Sequence, residues 1–230
     1  HQQGAGSRKE CRELVARGLV KLNGNVEKDC RRGIVPSEIT SITIDKDTWA
    51  PLTLPLYIML HKPINYETSH RPSHYPSVFS LLPERFTRLG INAVGRLDAD
   101  TTGLLLLTTD GPLIHALTAP RRAVAKHYRV GLKYPASESF VDTLNAGVLL
   151  HGESTPVYPE AVEKLDSDTL MLAITEGKYH QVKRMVAAAS NRVTALHRTC
   201  IGSLHLDQAL APGSWRFLTQ EELQCLTSSL

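Results

Sequence analysis

Gly95-Arg96-Leu97-Asp98-Ala99-Asp100-Thr101-Thr102-Gly103 runs directly into Leu104-Leu105-Leu106-Leu107, and two threonines later into Asp110-Gly111. Two glycines bracket a loop that holds two acids, and glycine permits backbone turns that other residues resist. The leucine run has the continuity of a strand buried on both faces, so residues 104–109 predict such a strand, closed by a tight Asp-Gly turn. A carboxylate on a sharply turning loop just ahead of a buried strand is a carboxylate aimed into a cleft.

Several chemistries fit that loop. Asp beside Gly and Thr most often serves as a turn or cap residue. Asp98-x-Asp100-x-Thr102 also resembles the aspartyl-phosphate motif of Mg-dependent phosphohydrolases, although there the acids follow the apolar strand and here they precede it. A calcium loop beginning at Asp98 needs Glu at its twelfth position, which is Thr109, so no metal site is expected.

Working outward, 230 residues with 42% apolar and 21% charged side chains suffice for a real core and are not the composition of a disordered chain. No stretch is long and apolar enough for a membrane span, and His1-Gln2-Gln3-Gly4 is not a secretory leader. The missing initiator Met suggests a sequence that begins inside its gene product. Cys11, Cys30, Cys200 and Cys225 lack paired-ligand spacing and read as reduced thiols of a cytoplasmic protein, without zinc or redox duty. Net charge is +3, and the excess lies early: residues 1–33 carry eight Lys/Arg against four acids. A small basic module ahead of a near-neutral body suggests polyanion binding.

Within that module, Ser7-Arg8-Lys9-Glu10 has the capping-box form and predicts a helix start. Cys11, Leu14 and Val15 make its apolar stripe, Arg8, Lys9 and Arg12 share another face, and Gly18 is placed to end it. Val20-Lys21-Leu22 and Val26 flank Asn23-Gly24, a hairpin signal. Residues 45–55 are polar and proline-punctuated and read as linker, after which residues 56–60 predict a strand leading into His61-Lys62-Pro63. Residues 69–76 read as a mobile surface loop.

Farther along, residues 126–132 alternate like a strand, 137–147 read as a helix and 170–174 as a buried strand. In Glu176-Gly177-Lys178-Tyr179-His180-Gln181-Val182-Lys183-Arg184-Met185, the apolar spacing of Val182, Met185, Val186 and Ala189 predicts a helix beginning close to His180. Lys178, His180, Lys183 and Arg184 crowd its start. Cations there oppose the helix dipole, so the pattern implies a negative partner, Asp98 or a phosphate.

These blocks resemble the RsuA-type pseudouridine synthases, which isomerise uridine in ribosomal RNA. The resemblance covers nearly the whole chain: the Gly95–Gly103 loop; Lys126-His127-Tyr128-Arg129-Val130; Glu176–Met185, differing only by Lys178 for Arg; the Val193–Gly202 strand; and the C-terminal Pro212-Gly213 and Leu218–Leu223 segments. Residues 7–24 similarly resemble the S4 RNA-binding module, lacking the Arg-Leu-Asp-Lys segment that starts its first helix. Where the family has a glycine after Lys-Pro, Ile64 or Asn65 stands, and Asn65 tolerates positive φ. Where Gly-Asn ends the family's helix, Ser190-Asn191 stands, leaving Asn191 as the left-handed cap.

The resemblance implies an α+β fold. A small S4-like α/β RNA-binding domain (1–50) and a linker (51–56) precede a catalytic domain (57–230) with a mixed, mainly antiparallel sheet flanked by helices. It implies Asp98 as nucleophile, Lys183 as its basic partner and Tyr128 against the base, with Leu196 as an apolar wall and Arg96 as a loop orienter or phosphate clamp. His180, Arg184, Lys178, Arg8, Lys9, Arg12 and Lys21 would meet RNA. No cofactor or metal is implied, and the expected state is a cytoplasmic monomer acting on ribosomal RNA, free or in an assembling small subunit. The Tyr179-His180 form resembles the small-subunit enzyme that modifies uridine 516 of 16S rRNA, against a 23S-directed relative of the same family. A non-catalytic assembly factor, which would not need ionised Asp98, and a chelator-sensitive phosphohydrolase are the rivals from other classes.

Overall fold

The computed structural model describes residues 1–228 and divides into two compact units, residues 1–56 with 82–91, and residues 57–81 with 92 onward. The segment 82–91, placed by sequence in the catalytic domain, packs with the first unit.

In the first unit, helix α1 (Arg8–Ala16) opens on the capping box: Ser7 Oγ accepts from the Glu10 backbone N–H and Glu10 accepts from that of Ser7 at 2.7 Å. Strands β1 (Val20–Leu22) and β2 (Asn25–Glu27) form a hairpin whose turn residues, Asn23 and Gly24, both have positive φ, as a two-residue turn matched to strand twist requires. Strands β3 (Ile42–Ile44) and β4 (Asp47–Trp49) complete a sheet of order β2-β1-β3-β4. The polar run read as linker from residue 45 therefore first makes a strand, because Asp45 takes a left-handed turn and returns the chain against β3.

The second unit is built on nine strands. Strands β5 (Tyr57–Lys62), β6 (Asn92–Ala93), β7 (Thr101–Thr108), β8 (Lys126–Leu132), β9 (Ala161–Lys164), β10 (Thr169–Ile174), β11 (Val193–Ile201), β12 (Leu204–His205) and β13 (Trp215–Phe217) follow in chain order. The spatial order is β13-β5-β7-β11-β8-β10-β9, with β6 beside β7 and β12 beside β11. Every pair is antiparallel except β7 and β11, so the sheet is mixed and mainly antiparallel, as the resemblance implied. Leu104 through Leu107 are wholly buried. Leu104 and Leu106 join Leu113 and Leu117 of a helix (Gly111–Thr118) and Leu226 of the last helix (Gln220–Ser228) in one cluster.

Asp110-Gly111 is not a hairpin turn. Asp110 caps the 111–118 helix by accepting from the Leu113 N–H at 3.0 Å and takes the Tyr57 hydroxyl at 2.8 Å, while Pro112 sits in the first turn, where a missing N–H costs nothing. The 137–147 reading condenses to a helix over Glu138–Asn145 capped by Ser137. The helix after His180 spans Gln181–Ala188 and buries Val182, Met185 and Val186. Ser190, not Asn191, takes the left-handed position after it, because the Asn191 side chain is engaged with both backbone groups of Tyr134.

One glycine is required by the strand pairing that frames the site. Gly103 of β7 lies opposite Arg198 of β11 with φ +107°, and a Cβ there would stand 2.2 Å from the Arg198 carbonyl oxygen.

Candidate active site

Three strand-borne segments converge on Asp98. The loop that carries it enters β7, whose Thr101 pairs with Leu196 of β11, and Arg198 of β11 lies opposite Tyr128 of β8. The helix Gln181–Ala188, which leads into β11, supplies Lys183. Its Nζ donates to Asp98 Oδ2 at 2.8 Å and to Asp100 Oδ1 at 2.6 Å, joining segments 85 and 83 residues apart. His180 Nε2 lies 3.4 Å from Asp98 Oδ1. The Asp98 side chain is 33% exposed and that of Lys183 23%, so the pair opens to solvent without being bathed in it.

Burial disfavours the Lys183 ammonium, but hydrogen bonds to Asp100 and Asp98 and their charges outweigh it, and the Lys183 pKa ends above its ordinary value. Burial likewise works to raise Asp100, and Lys183 reverses it, leaving that carboxyl below its usual range.

The Asp98 loop is held from behind. Thr68 Oγ1 donates to Leu97 O at 2.9 Å and accepts from the Leu97 N–H at 3.3 Å. The Asn65 N–H donates to Ala99 O at 2.8 Å, and Asn65 takes the positive φ its side chain tolerates. Lys62, at 0% exposure, donates from Nζ to Pro63 O at 3.0 Å, Ala99 O at 3.2 Å and Thr101 O at 2.7 Å. Burial pulls its pKa down to about 8 against the opposing pull of Asp100 and Asp98.

A cavity of about 420 Å3 opens beside Asp98, with Tyr128, Arg96, Lys178 and His180 among its lining residues. A smaller one of about 80 Å3 lies between Tyr128, Lys183 and Leu196. Tyr128 and Leu196 are buried in their strands, while Arg96 is exposed at the cavity. Tyr179 is 73% exposed and stacks on the His180 ring at 3.8 Å.

The four cations at the helix start do not act as one group. Lys183 and His180 face Asp98, whereas Lys178 pairs with Glu153 at 2.7 Å, and Arg184 lies 4.0 Å from Glu153 and donates to the carbonyls of His151 and Tyr179. Glu153, Lys62 and Thr68 were missed by sequence. Lys62 carried a signal, a lysine ending an apolar strand next to proline, whereas Glu153 sits in a Gly-Glu-Ser loop that says nothing of its partners. The loop 69–76 is closed on itself: the Glu67 carboxylate accepts from the backbone N–H groups of Ser73, His74 and Tyr75, which hold its pKa down at about 2, and His70 stacks on Phe79 at 3.7 Å. In the first unit, Arg8, Lys9, Arg12 and Lys21 are all exposed. No cluster of three potential metal ligands occurs among the described residues.

Residues 56–188 match the RNA pseudouridylate synthases, and the chain belongs to that family of isomerases. Among curated relatives, the ribosomal small subunit pseudouridine synthase A of Pasteurella multocida is 37% identical over 217 residues, covering 94% of this chain and 92% of that protein. The protein of the same name from Vibrio cholerae is 39% identical with the same coverage. The crystal structure of a pseudouridylate synthase superposes with a TM-score of 0.72 at 35% identity, over 98% of this chain and 96% of that one.

Proposed function

We propose that this chain converts one uridine of 16S ribosomal RNA, uridine 516, to pseudouridine, with Asp98 as nucleophile. The observation that carries the role of Asp98 is the Asp98–Lys183 contact of 2.8 Å at the edge of a nucleotide-sized cavity. An ammonium at that distance fixes the position of a carboxylate that stands free to attack from the cavity's edge. The small-subunit target is supported by the names of the relatives and by the Tyr179-His180 pair.

The reaction breaks the N1–C1′ bond, turns the uracil, forms C5–C1′ and moves the C5 hydrogen to N1, so no atom is gained or lost. Asp98 supplies the attacking oxygen. Lys183 holds it in place through the hydrogen bond to Oδ2, and Asp100, sharing the same ammonium, fixes where that ammonium sits. Tyr128 packs against the ring and takes part in the proton transfer at C5 through its hydroxyl. Leu196 forms the apolar wall, and His180 and Arg96 border the sugar and phosphate. The uridine must leave its stack, at a cost of about a few kcal/mol, offset by pocket and backbone contacts. An S4-like first unit, through Arg8, Lys9, Arg12 and Lys21, supplies phosphate contacts, as the charge of a basic exposed helix and hairpin allows.

Incubating the protein with 16S and 23S transcripts and with assembling small subunits, then mapping pseudouridine at nucleotide resolution, tests this. The expected product is one 16S position with the native chain and none with Asp98→Ala. Product on 23S RNA alone would overturn the target, and product that survives Asp98→Ala would overturn the nucleophile.

A further inference from the structure

Arg198 and Lys126 have no part in the chemistry above, yet both line the 420 Å3 cavity. Arg198 is 3% exposed; its Nε donates to Leu104 O at 2.9 Å, while its Nη2 is buried with no hydrogen-bond partner. Arginine does not shed its proton in proteins, so this is a buried cation with an idle donor. Lys126 stands two residues before Tyr128 on β8, in the strand beside Arg198, and its Nζ donates to Thr175 O at 3.1 Å. Burial and then the charge of Arg198 push the Lys126 pKa down, as two cations sharing a poorly solvated space require.

Neither residue forms a salt bridge among the described residues. The three acids that line the same cavity are engaged elsewhere. Glu67 is held by its loop, Asp98 by Lys183, and Glu176 lies 3.9 Å from Lys178. A base carbonyl would satisfy one N–H and leave both charges in place. A phosphodiester offers two acceptor oxygens and one negative charge, which suits both cations together. The volume is in the range that encloses a whole drug-sized ligand, room for more than a base ring.

We propose that Lys126 and Arg198 form a phosphate subsite within the active-site cavity, binding one phosphodiester of the RNA strand beside the target uridine. This rests on the reading of the cavity as the seat of a flipped uridine. The subsite sets where the strand enters relative to Asp98 and so helps choose which uridine reaches it.

The test uses full-length protein carrying Asp98→Asn, so that RNA binds without turnover, and a fragment of the target RNA in which each linkage around the uridine is singly replaced by an uncharged methylphosphonate. One linkage is expected to weaken binding about tenfold when neutralised. The same replacement should cost nothing further once Lys126→Gln or Arg198→Gln is present, and each variant should lower the slope of log affinity against log salt by roughly 0.7, the share of one single-stranded phosphate. Weaker binding with an unchanged slope, or linkage effects equal in parent and variants, would overturn the subsite in favour of a carbonyl or packing role. If Arg198→Gln loses its circular dichroism spectrum, the more exposed Lys126→Gln decides alone. Unmutated protein is assayed on the same fragment. Pseudouridine without any linkage coupling removes only the subsite, whereas no pseudouridine on any ribosomal RNA removes the functional reading and the subsite with it.

Discussion

Replacing Lys62 with methionine separates positioning from chemistry, because this lysine touches the Asp98 loop but is closed to solvent and to RNA. Its pKa of about 8 against the ordinary 10.5 means that the folded protein holds the ammonium at a cost of about 3 kcal/mol relative to the neutral amine. A depressed lysine pKa leaves the unfolded chain with more bound protons between pH 8 and 10.5, so this residue's contribution makes stability rise with pH across that window, and below pH 8 the full cost stands. Methionine removes that cost but strands the carbonyls of Pro63, Ala99 and Thr101, each worth about 1–3 kcal/mol when left unmet. Together the three carbonyls are worth about 3–9 kcal/mol, which equals or exceeds the cost removed. Lys62→Met should therefore be neutral to destabilising, by at most about 6 kcal/mol, with Tm falling roughly 2–4 °C for each kcal/mol lost.

The loop that carries Asp98 should respond as well. With Ala99 and Thr101 released on the far side of Asp98, a displacement of about 1 Å is enough to lower kcat on the order of a hundredfold, while KM for RNA stays close to its starting value. In the native chain kcat should also fall as pH rises past about 8, since the neutral amine has two N–H groups for three carbonyls. Single-turnover and steady-state pseudouridine assays from pH 6 to 9.5, with thermal melts beside them, measure all of this. A Lys62→Met protein whose kcat stays within a few-fold of native, or a native profile flat to pH 9.5, would refute the anchoring argument.

Gly103→Ala should yield misfolded or strongly destabilised protein, by more than about 3 kcal/mol, because the added methyl meets the Arg198 carbonyl at 2.2 Å and φ is +107°; a soluble variant with native Tm would contradict it. Lys183→Met should lower kcat on the order of a hundredfold or more. The raised Lys183 pKa keeps its ion pairs intact below 10.5 and loses them only above that value, so no alkaline limb below pH 10 should disappear in this variant. Tyr179→Ala should weaken RNA binding by about 1–3 kcal/mol through loss of a stacking surface, with kcat at saturating RNA nearly unchanged, read by anisotropy titration and turnover.

Strand and helix positions were legible wherever the pattern was local. The capping box at Ser7, the Asn23-Gly24 hairpin, β8 and β10 all follow from chemistry within a few residues of themselves, whereas β11 was legible only through the family resemblance. The misreadings share a cause, which is that a local signal had a distant competitor. Asp-Gly signals a hairpin turn in isolation, but the Tyr57 hydroxyl and the Leu113 N–H make Asp110 a helix cap. Asn191 is the better left-handed residue in isolation, but Tyr134 holds its side chain, and Ser190 takes the strained position instead.

The same distinction governs the site. Four basic residues within seven positions predict a negative partner, and sequence leaves open which one. The helix resolves this by direction. Lys183, one turn in, reaches the acids at 98 and 100, while Lys178, ahead of the helix, and Arg184, one residue farther round it, turn to Glu153. A cluster that reads as one electrostatic patch is therefore two devices, one bound to the carboxylates of Asp98 and Asp100 and one pinning the segment on which His180 and Tyr179 stand. Neutralising Glu153 should separate them. Glu153→Gln removes the acid that Lys178, which lines the cavity, shares with Arg184, so affinity for RNA should rise while kcat falls as the 176–180 segment loosens; a variant in which both fall together would show that Glu153 acts through the whole helix and that the two devices are one.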